Sequence, residues 1–332
     1  MFFNHKLFIS TYPFGKYDKS PVELLEQTGI NFSINPLNRK LTSAEVLDFA
    51  KDCTGIIAGT ENLERLVSES KNLKFISRVG IGLDSVPLKL CRHKGILVSY
   101  TPDAVTLAVA EIVLGMMITL PRHVVFADRQ IRNGGWTRPV GISIQSSVIG
   151  IVGLGRVGYK ISQMLTSLKP KKILVCDILD KSEDIKRLRA FGLDIEQVTL
   201  NSLLSFSDIV SVHVPLTPLT QNLIATHELK QMKKSSFLIN FSRGGVVNES
   251  SAYESLKKNE IAGLALDVYE KEPYSGNLIE LDNVVLTQHM GSCSFDCRLA
   301  MESQATEELI RFFKGEKLMS EVPDFEFENS PT

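Results

Sequence analysis

Ser147-Val148-Ile149-Gly150-Ile151-Val152-Gly153-Leu154-Gly155-Arg156-Val157-Gly158 is the stretch on which the fold turns. Its first half is an apolar run short enough for a buried strand, and Ile161, Met164, Leu165 and Leu168 follow at helical spacing. Between the two, Gly153 permits a tight turn, Gly155 lets backbone approach a pyrophosphate, and Gly158 lets helix pack on strand. The helix N-terminus then offers its amides and partial positive charge to the phosphates. A glycine triplet alone is a weak signal, because glycines also mark ordinary turns. Here Lys172-Ile173-Leu174-Val175-Cys176 leads to Asp177, about 20 residues beyond the last glycine, which makes the dinucleotide reading strong. An acid there accepts both ribose hydroxyls and repels a 2′-phosphate, so NAD is expected over NADP.

Short apolar runs alternate with helical patterns along most of the chain, the rhythm of α/β units around parallel sheets. Strands are expected at residues 6–10, 30–34, 55–58, 73–77 and 96–99. A second set is expected at 148–152, 173–176, 209–214, 237–240, 264–266 and 284–287. Residues 1–10 lack a signal peptide's cleavage pattern and read as the first strand. Phe295 to Lys314 reads as a helix with Leu299, Leu309, Ile310 and Phe313 on its apolar face, returning to the first domain. Residues 323–332 are polar and expected to fray. The fold class is therefore α/β, with two Rossmann-like or flavodoxin-like parallel-sheet domains, a cleft between them, and a discontinuous first domain. Residues 1–102 with 293–332 are expected to bind substrate and residues 103–292 to bind NAD.

At 332 residues the chain is long enough for two cores. A formal charge of −1 gives no reason to expect nucleic acid or an anionic membrane as partner. The apolar stretch from Ala104 to Leu120 is interrupted by Glu111 and falls short of the roughly 20 residues a bilayer crossing needs. A helix buried between domains or subunits is the better reading. The cysteines, Cys53, Cys91, Cys176, Cys293 and Cys297, form no closely spaced even framework, which suits a reducing cytosol. Cys293 and Cys297 lie one helical turn apart, but no second pair or histidine cluster joins them. Free thiols are expected there, and no metal.

Gly153, Asp177, His213, Arg243, Asp267 and His289 each follow an expected strand of the second region. Ligands of open parallel sheets bind beyond the carboxyl ends of strands, so these distant residues should converge. Arg243 can hold a carboxylate through two parallel hydrogen bonds and polarise a neighbouring carbonyl. His289 is a candidate acid/base, since imidazole titrates near neutrality. Glu272 can orient that ring and stabilise its charged form. Singly, each also fits a plainer role: Arg243 a solvated or ion-paired cation, His289 a structural histidine, Glu272 a carboxylate in a charged loop.

In order and context the chain resembles the D-isomer-specific 2-hydroxyacid dehydrogenases. The likeness runs through Val79-Gly80-Ile81-Gly82-Leu83-Asp84, Thr101-Pro102-Asp103, Val109-Ala110-Glu111 and the glycine fingerprint. It continues in His213-Val214-Pro215-Leu216-Thr217-Pro218, the Arg243 segment, Asp267-Val268 with Glu272-Pro273, and His289-Met290-Gly291. Within that family the chain is most similar to short phosphoglycerate dehydrogenases without a C-terminal regulatory domain. The resemblance implies that Arg243 binds the substrate's carboxylate and 2-oxygen, and that His289, partnered by Glu272, exchanges the proton. It implies that backbone around Gly80, Ile81 and Gly82 takes the other carboxylate oxygen. Asp267 would hold the nicotinamide carboxamide, His213, Val214 and Pro215 would line the adenosine side, and Thr106, Arg156, Val157 and Gly291 would complete the cofactor site.

Some positions depart from the family pattern. Gln288 replaces a proline before the histidine, and Ser85 replaces an asparagine or histidine after Asp84. Where long phosphoglycerate dehydrogenases carry a phosphate-binding arginine, this chain reads Ala58-Gly59-Thr60-Glu61. A phosphate would then need Arg78, Arg132 or Arg138, each of which also reads as ordinary surface charge. The substrate expected is 3-phosphoglycerate, with glyoxylate, hydroxypyruvate or another 2-oxo acid as alternative. An NAD-sensing, corepressor-like binding protein is the rival from another class. Formate dehydrogenases share the architecture but pair their histidine with glutamine, which Glu272 argues against. Trp136 reads either as an anchor of a homodimer built on about residues 102–139 or as core packing.

Overall fold

The computed structural model describes residues 5–329, and Met1–Asn4 and Ser330–Thr332 lie outside the described residues. The chain divides into two compact units, Met1–Val105 with Cys293–Thr332, and Thr106–Ser292.

The first unit holds β1 (Lys6–Ile9), β2 (Asn31–Ile34), β3 (Gly55–Ala58), β4 (Phe75–Arg78) and β5 (Leu97–Ser99). All pair in parallel in the order β2-β1-β3-β4-β5. β3 and β4 are buried along their whole length, as strands covered on both faces must be. The helix Phe295–Lys314 is part of this unit. Its Phe312 ring stacks on Phe75 with centroids 4.5 Å apart, and the Ser77 hydroxyl donates to the Ala305 carbonyl at 2.7 Å. Ser294 starts that helix by accepting the Cys297 amide.

The polar end of the chain does not fray over the described residues. Val322 donates to the Val98 carbonyl, and Asp324–Asn329 form a short helix. Arg92 pairs with Asp324 and sits 4.1 Å over the Phe327 ring. These partners come from the distant helix Leu88–Lys94 and from β5, and compensate for the segment's low hydrophobicity.

The second unit carries β6 (Val148–Val152), β7 (Lys172–Cys176), β8 (Ile195–Gln197), β9 (Ile209–Val212), β10 (Phe237–Asn240), β11 (Gly263–Leu266) and β12 (Val284–Leu286). Every pairing is parallel, and the order is β12-β11-β10-β9-β6-β7-β8. β6 is central and the order reverses there, which opens a crevice beyond its carboxyl end. Two expectations need correction. β8 is an additional edge strand, and β9 stops at Val212 rather than Val214.

The apolar stretch forms the helix Val105–Thr119, which buries Val113 and Met117 and leaves Leu107 and Ile118 exposed. Among the described residues no single helix is long and apolar enough to cross a membrane. Trp136 is 81% exposed and so is not a core residue of its own unit.

Candidate active site

The glycine fingerprint does what its residue types allow. Gly153, at φ +93, begins the turn after β6, and a Cβ there would come within 2.6 Å of the His213 carbonyl. Gly158 lies against that turn, since a Cβ would overlap the Gly153 carbonyl. Gly155 caps the helix Arg156–Met164, and a Cβ added to it meets nothing within 4 Å. The open space lies at a helix N-terminus, where an anionic group is favoured. This cradle fits a dinucleotide.

Asp177 follows β7 directly. Its carboxylate accepts the Leu154 amide at 2.8 Å and the Leu179 amide at 2.9 Å, and Lys181 Nζ lies 3.9 Å away. Those bonds orient the carboxylate and leave it lone pairs for ribose hydroxyls. Gln197, on the unexpected strand β8, donates to the Asp177 and Leu179 carbonyls and so shapes this loop. His213 follows β9, with Nε2 2.8 Å from the Ser211 hydroxyl. Burial pushes its imidazole down to about 3, so the ring is neutral at physiological pH. The Thr106 hydroxyl is buried without a hydrogen-bond partner.

Three neighbouring strands, β10, β11 and β12, present the remaining groups. Beyond β10, Asn240 builds a turn by accepting the Ser242 amide and hydroxyl while its own amide donates to the Arg243 carbonyl. The Arg243 guanidinium donates to the Ser242 carbonyl at 2.7 Å. Beyond β11, Asp267 is 1% exposed and binds the loop that follows β12. Its carboxylate accepts the Thr287 hydroxyl at 2.6 Å and the Met290 and Gly291 amides at 2.8 Å each. Its carbonyl accepts the His289 amide.

His289 is thereby held at φ +52, a left-handed conformation uncommon outside glycine, though asparagine, aspartate and histidine adopt it more readily than other residues. Its Nδ1 lies 3.0 Å from both Glu272 carboxylate oxygens. An ionised carboxylate only accepts, so Nδ1 carries the proton of that bond and Nε2 of the neutral ring keeps a lone pair. Tyr269 ties the two loops together. Its amide donates to Glu272 Oε1, and its hydroxyl donates to the Thr287 carbonyl at 2.7 Å. Nothing in the local sequence marked Tyr269 or Gln197, because the Thr287 partner of the one and the Asp177 and Leu179 partners of the other lie in other segments. Asn240 bonds within its own turn, and an asparagine at a strand end is a local signal for such a turn.

The expected substrate-binding residues Arg78, Gly80, Ile81 and Gly82 belong to the first unit, whereas Arg132 and Arg138 belong to the second. The Gly80 amide donates to the Thr101 hydroxyl at 2.7 Å, and Arg78, 7% exposed, donates from Nη1 to the Val79 carbonyl. The Gly80 amide is therefore already engaged, while Ile81 and Gly82 are partly exposed. After β3, Gly59 donates its amide to the Glu61 carboxylate at 2.6 Å, and Glu61 is 2% exposed. Burial pushes that carboxyl above its ordinary value.

The family model "D-isomer specific 2-hydroxyacid dehydrogenase, NAD binding domain" matches residues 114–291. A glyoxylate reductase of Thermofilum pendens is 39% identical over 259 residues, covering 76% of this chain and 75% of that protein. A D-3-phosphoglycerate dehydrogenase of Methanocaldococcus jannaschii is 32% identical over 282 residues, covering 83% of this chain. The match spans about half, 53%, of that longer relative. A crystal structure of a protein from Thermus thermophilus superposes with a TM-score of 0.86 at 27% identity, covering 96% of this chain and 100% of the other.

Proposed function

The chain belongs to the D-isomer specific 2-hydroxyacid dehydrogenases and uses NAD, and from that premise we propose that it interconverts a D-2-hydroxy acid and the corresponding 2-oxo acid. The observation that carries this reading is the Glu272–His289 pair, held beside the Arg243 turn at one sheet edge. Arg243 grips the substrate carboxylate and places positive charge where an alkoxide develops, an effect worth a few kcal/mol, about 2.7–4 when such a donor is removed. In oxidation His289 Nε2 takes the 2-hydroxyl proton, and in reduction it returns it. Glu272 holds the Nδ1 proton and stabilises the imidazolium formed in between. NAD, when bound, would supply the hydride acceptor for C2 in oxidation and, reduced, the hydride donor in reduction. Gly153, Gly155, Arg156, Val157 and Gly158 would cradle its pyrophosphate, and Asp177 would take the ribose hydroxyls. His213, Val214 and Pro215 would line the adenosine side, and Thr106, Asp267 and Gly291 the nicotinamide side. The orphaned Thr106 hydroxyl supports that assignment, because a buried polar group gains from a partner.

The substrate's tail is the finer question. Where a phosphate-binding arginine would stand, β3 is followed by Gly59 and the buried Glu61 carboxyl. A carboxyl there favours an uncharged tail, as in glyoxylate or hydroxypyruvate, with Ile81 and Gly82 as backbone donors. The reading of 3-phosphoglycerate requires Arg78, Arg132 or Arg138 instead. Arg132 already pairs with Asp128 at 2.8 Å. The test is NADH absorbance with a panel of phosphorylated and unphosphorylated acids. Turnover lost in Arg243→Ala is expected. Intact NAD binding without turnover on any acid refutes the enzyme and favours a cofactor sensor.

The chain works in the cytosol as a homodimer in this reading. Cys53, Cys91, Cys176 and Cys297 are free thiols, and Leu107, Ile118, Val124, Ile131 and Trp136 expose apolar surface within about residues 102–139. Light scattering should report a dimer that Trp136→Glu weakens. A wild-type monomer at micromolar concentration removes the proposal.

A further inference from the structure

The helix Glu249–Lys257 begins six residues after Arg243, and its first residue reaches a different catalytic loop. Asn248 caps this helix by accepting the Ser251 amide at 2.8 Å, which fixes where Glu249 projects. Glu249 Oε1 accepts the Glu270 amide at 2.6 Å. The Arg243 turn presses on the same peptide, because a Cβ on Gly244 would overlap the Tyr269 carbonyl and come within 2.8 Å of the Glu270 nitrogen. Two residues further along stands Glu272, and the Tyr269 hydroxyl reaches on to the His289 loop through the Thr287 carbonyl. The Arg243 turn and the Glu272 loop therefore meet at the Tyr269–Glu270 peptide, and the Tyr269 side chain ties that peptide to the His289 loop.

We propose that Glu249 is a positioning residue that locks this peptide, and so sets Glu272 against His289 relative to Arg243. The inference rests on the catalytic roles assigned to those three residues. Glu249 touches none of the reacting groups and acts through the loop. Burial, and behind it the charges of Glu270 and Glu272, push its carboxyl above the ordinary value, as expected of an acid pressed against this loop. A helix N-terminus offsets part of that cost.

The geometry demands an acceptor at this reach rather than a charge. Glu249→Gln keeps the acceptor, Glu249→Asp keeps the charge but is one methylene too short, and Glu249→Ala keeps neither. We expect Glu249→Ala and Glu249→Asp to lower kcat at least fivefold while the NADH dissociation constant stays within twofold. Glu249→Gln should remain within twofold of wild type in both. Wild-type kcat in the alanine or aspartate variant, or a glutamine variant as impaired as alanine, overturns the proposal.

A second readout needs no turnover. The downfield proton resonance of His289 Nδ1 against Glu272 should persist in wild type and Glu249→Gln and broaden or vanish in Glu249→Ala. Its survival in Glu249→Ala refutes the clamp even if the family activity is not found. Absence of turnover in wild type, with the resonance behaving as expected, refutes only the catalytic reading.

Discussion

The Asp267 carboxylate accepts the Gly291 amide at 2.8 Å, which binds the end of β11 to the loop beyond β12. Its other oxygen takes the Met290 amide and the Thr287 hydroxyl, so a single buried side chain shapes the segment around His289. Asp267→Asn replaces one acceptor by a donor that faces an N–H or O–H. An unsatisfied buried donor costs about 1–3 kcal/mol. We expect the midpoint of thermal unfolding to fall and kcat to fall at least tenfold, with weaker loss of NADH binding. Unchanged kcat in a stable variant shows that the loop holds His289 without this carboxylate.

Asp177 faces a different choice, made at the ribose. Its carboxylate is oriented by Leu154 and Leu179 amides, with the Lys181 cation 3.9 Å away. Asp177→Asn removes the charge that repels a 2′-phosphate and leaves Lys181 in place to attract it. The ratio of kcat/KM for NAD over NADP should narrow by about tenfold or more, which corresponds to at least 1.4 kcal/mol. An unchanged ratio means Asp177 does not read the ribose.

The buried ring of His213 predicts an acid sensitivity of the fold. Burial lowers its pKa to about 3 in the folded chain, against about 6.5 unfolded. Between those values the unfolded state binds a proton that the folded state refuses, so stability falls as pH drops below 6.5. One such proton gives a slope of up to about 1.4 kcal/mol per pH unit. Urea unfolding of wild type and His213→Asn at pH 7 and pH 5 should show the smaller loss in the variant. Equal losses would assign the acid sensitivity to other groups.

How much of this was legible in sequence depends on whether a feature is local. The β6 run, the Gly153–Gly158 turn and the Phe295–Lys314 helix carry their own periodicity, and so do the strand ends that place Arg243, Asp267 and His289 together. β8 was missed because Ile195-Glu196-Gln197 has one apolar residue, and its only partner is β7 at the sheet's edge. The helix Asp324–Asn329 was missed because Arg92, the partner of its Asp324 and Phe327, lies far away in sequence, as does Val98, which anchors the preceding Val322. The same reason hid Glu249 and Tyr269. Their types are ordinary, and only the distances from Glu249 to Glu270 and from Tyr269 to Thr287 give them meaning. Asn240 is different, because its partners Ser242 and Arg243 are local and its turn was open to a reading from sequence. The Gly80 turn was legible as a turn, while the Thr101 hydroxyl on its amide was not.

The Glu272–His289 pair separates two contributions that sequence alone leaves merged. On the proposed mechanism His289→Gln removes the group that exchanges the substrate proton, and general acid–base catalysis contributes about 10²–10⁴-fold. Glu272→Gln leaves the ring and its Nε2 but exchanges a charged acceptor, bonded at 3.0 Å, for a neutral one. That bond also selects the tautomer, so an amide turned the wrong way would present a donor to Nδ1. We therefore expect Glu272→Gln to lose less turnover than His289→Gln. Both variants should bind NADH with near-native affinity, because neither residue takes part in the glycine cradle or the Asp177 loop. Stopped-flow measurement of the hydride step, with NADH titration by fluorescence, gives both quantities on the same samples. Near-native hydride transfer in His289→Gln would remove it as the proton carrier. A Glu272→Gln variant as slow as His289→Gln would instead make the carboxylate's charge as necessary as the imidazole itself.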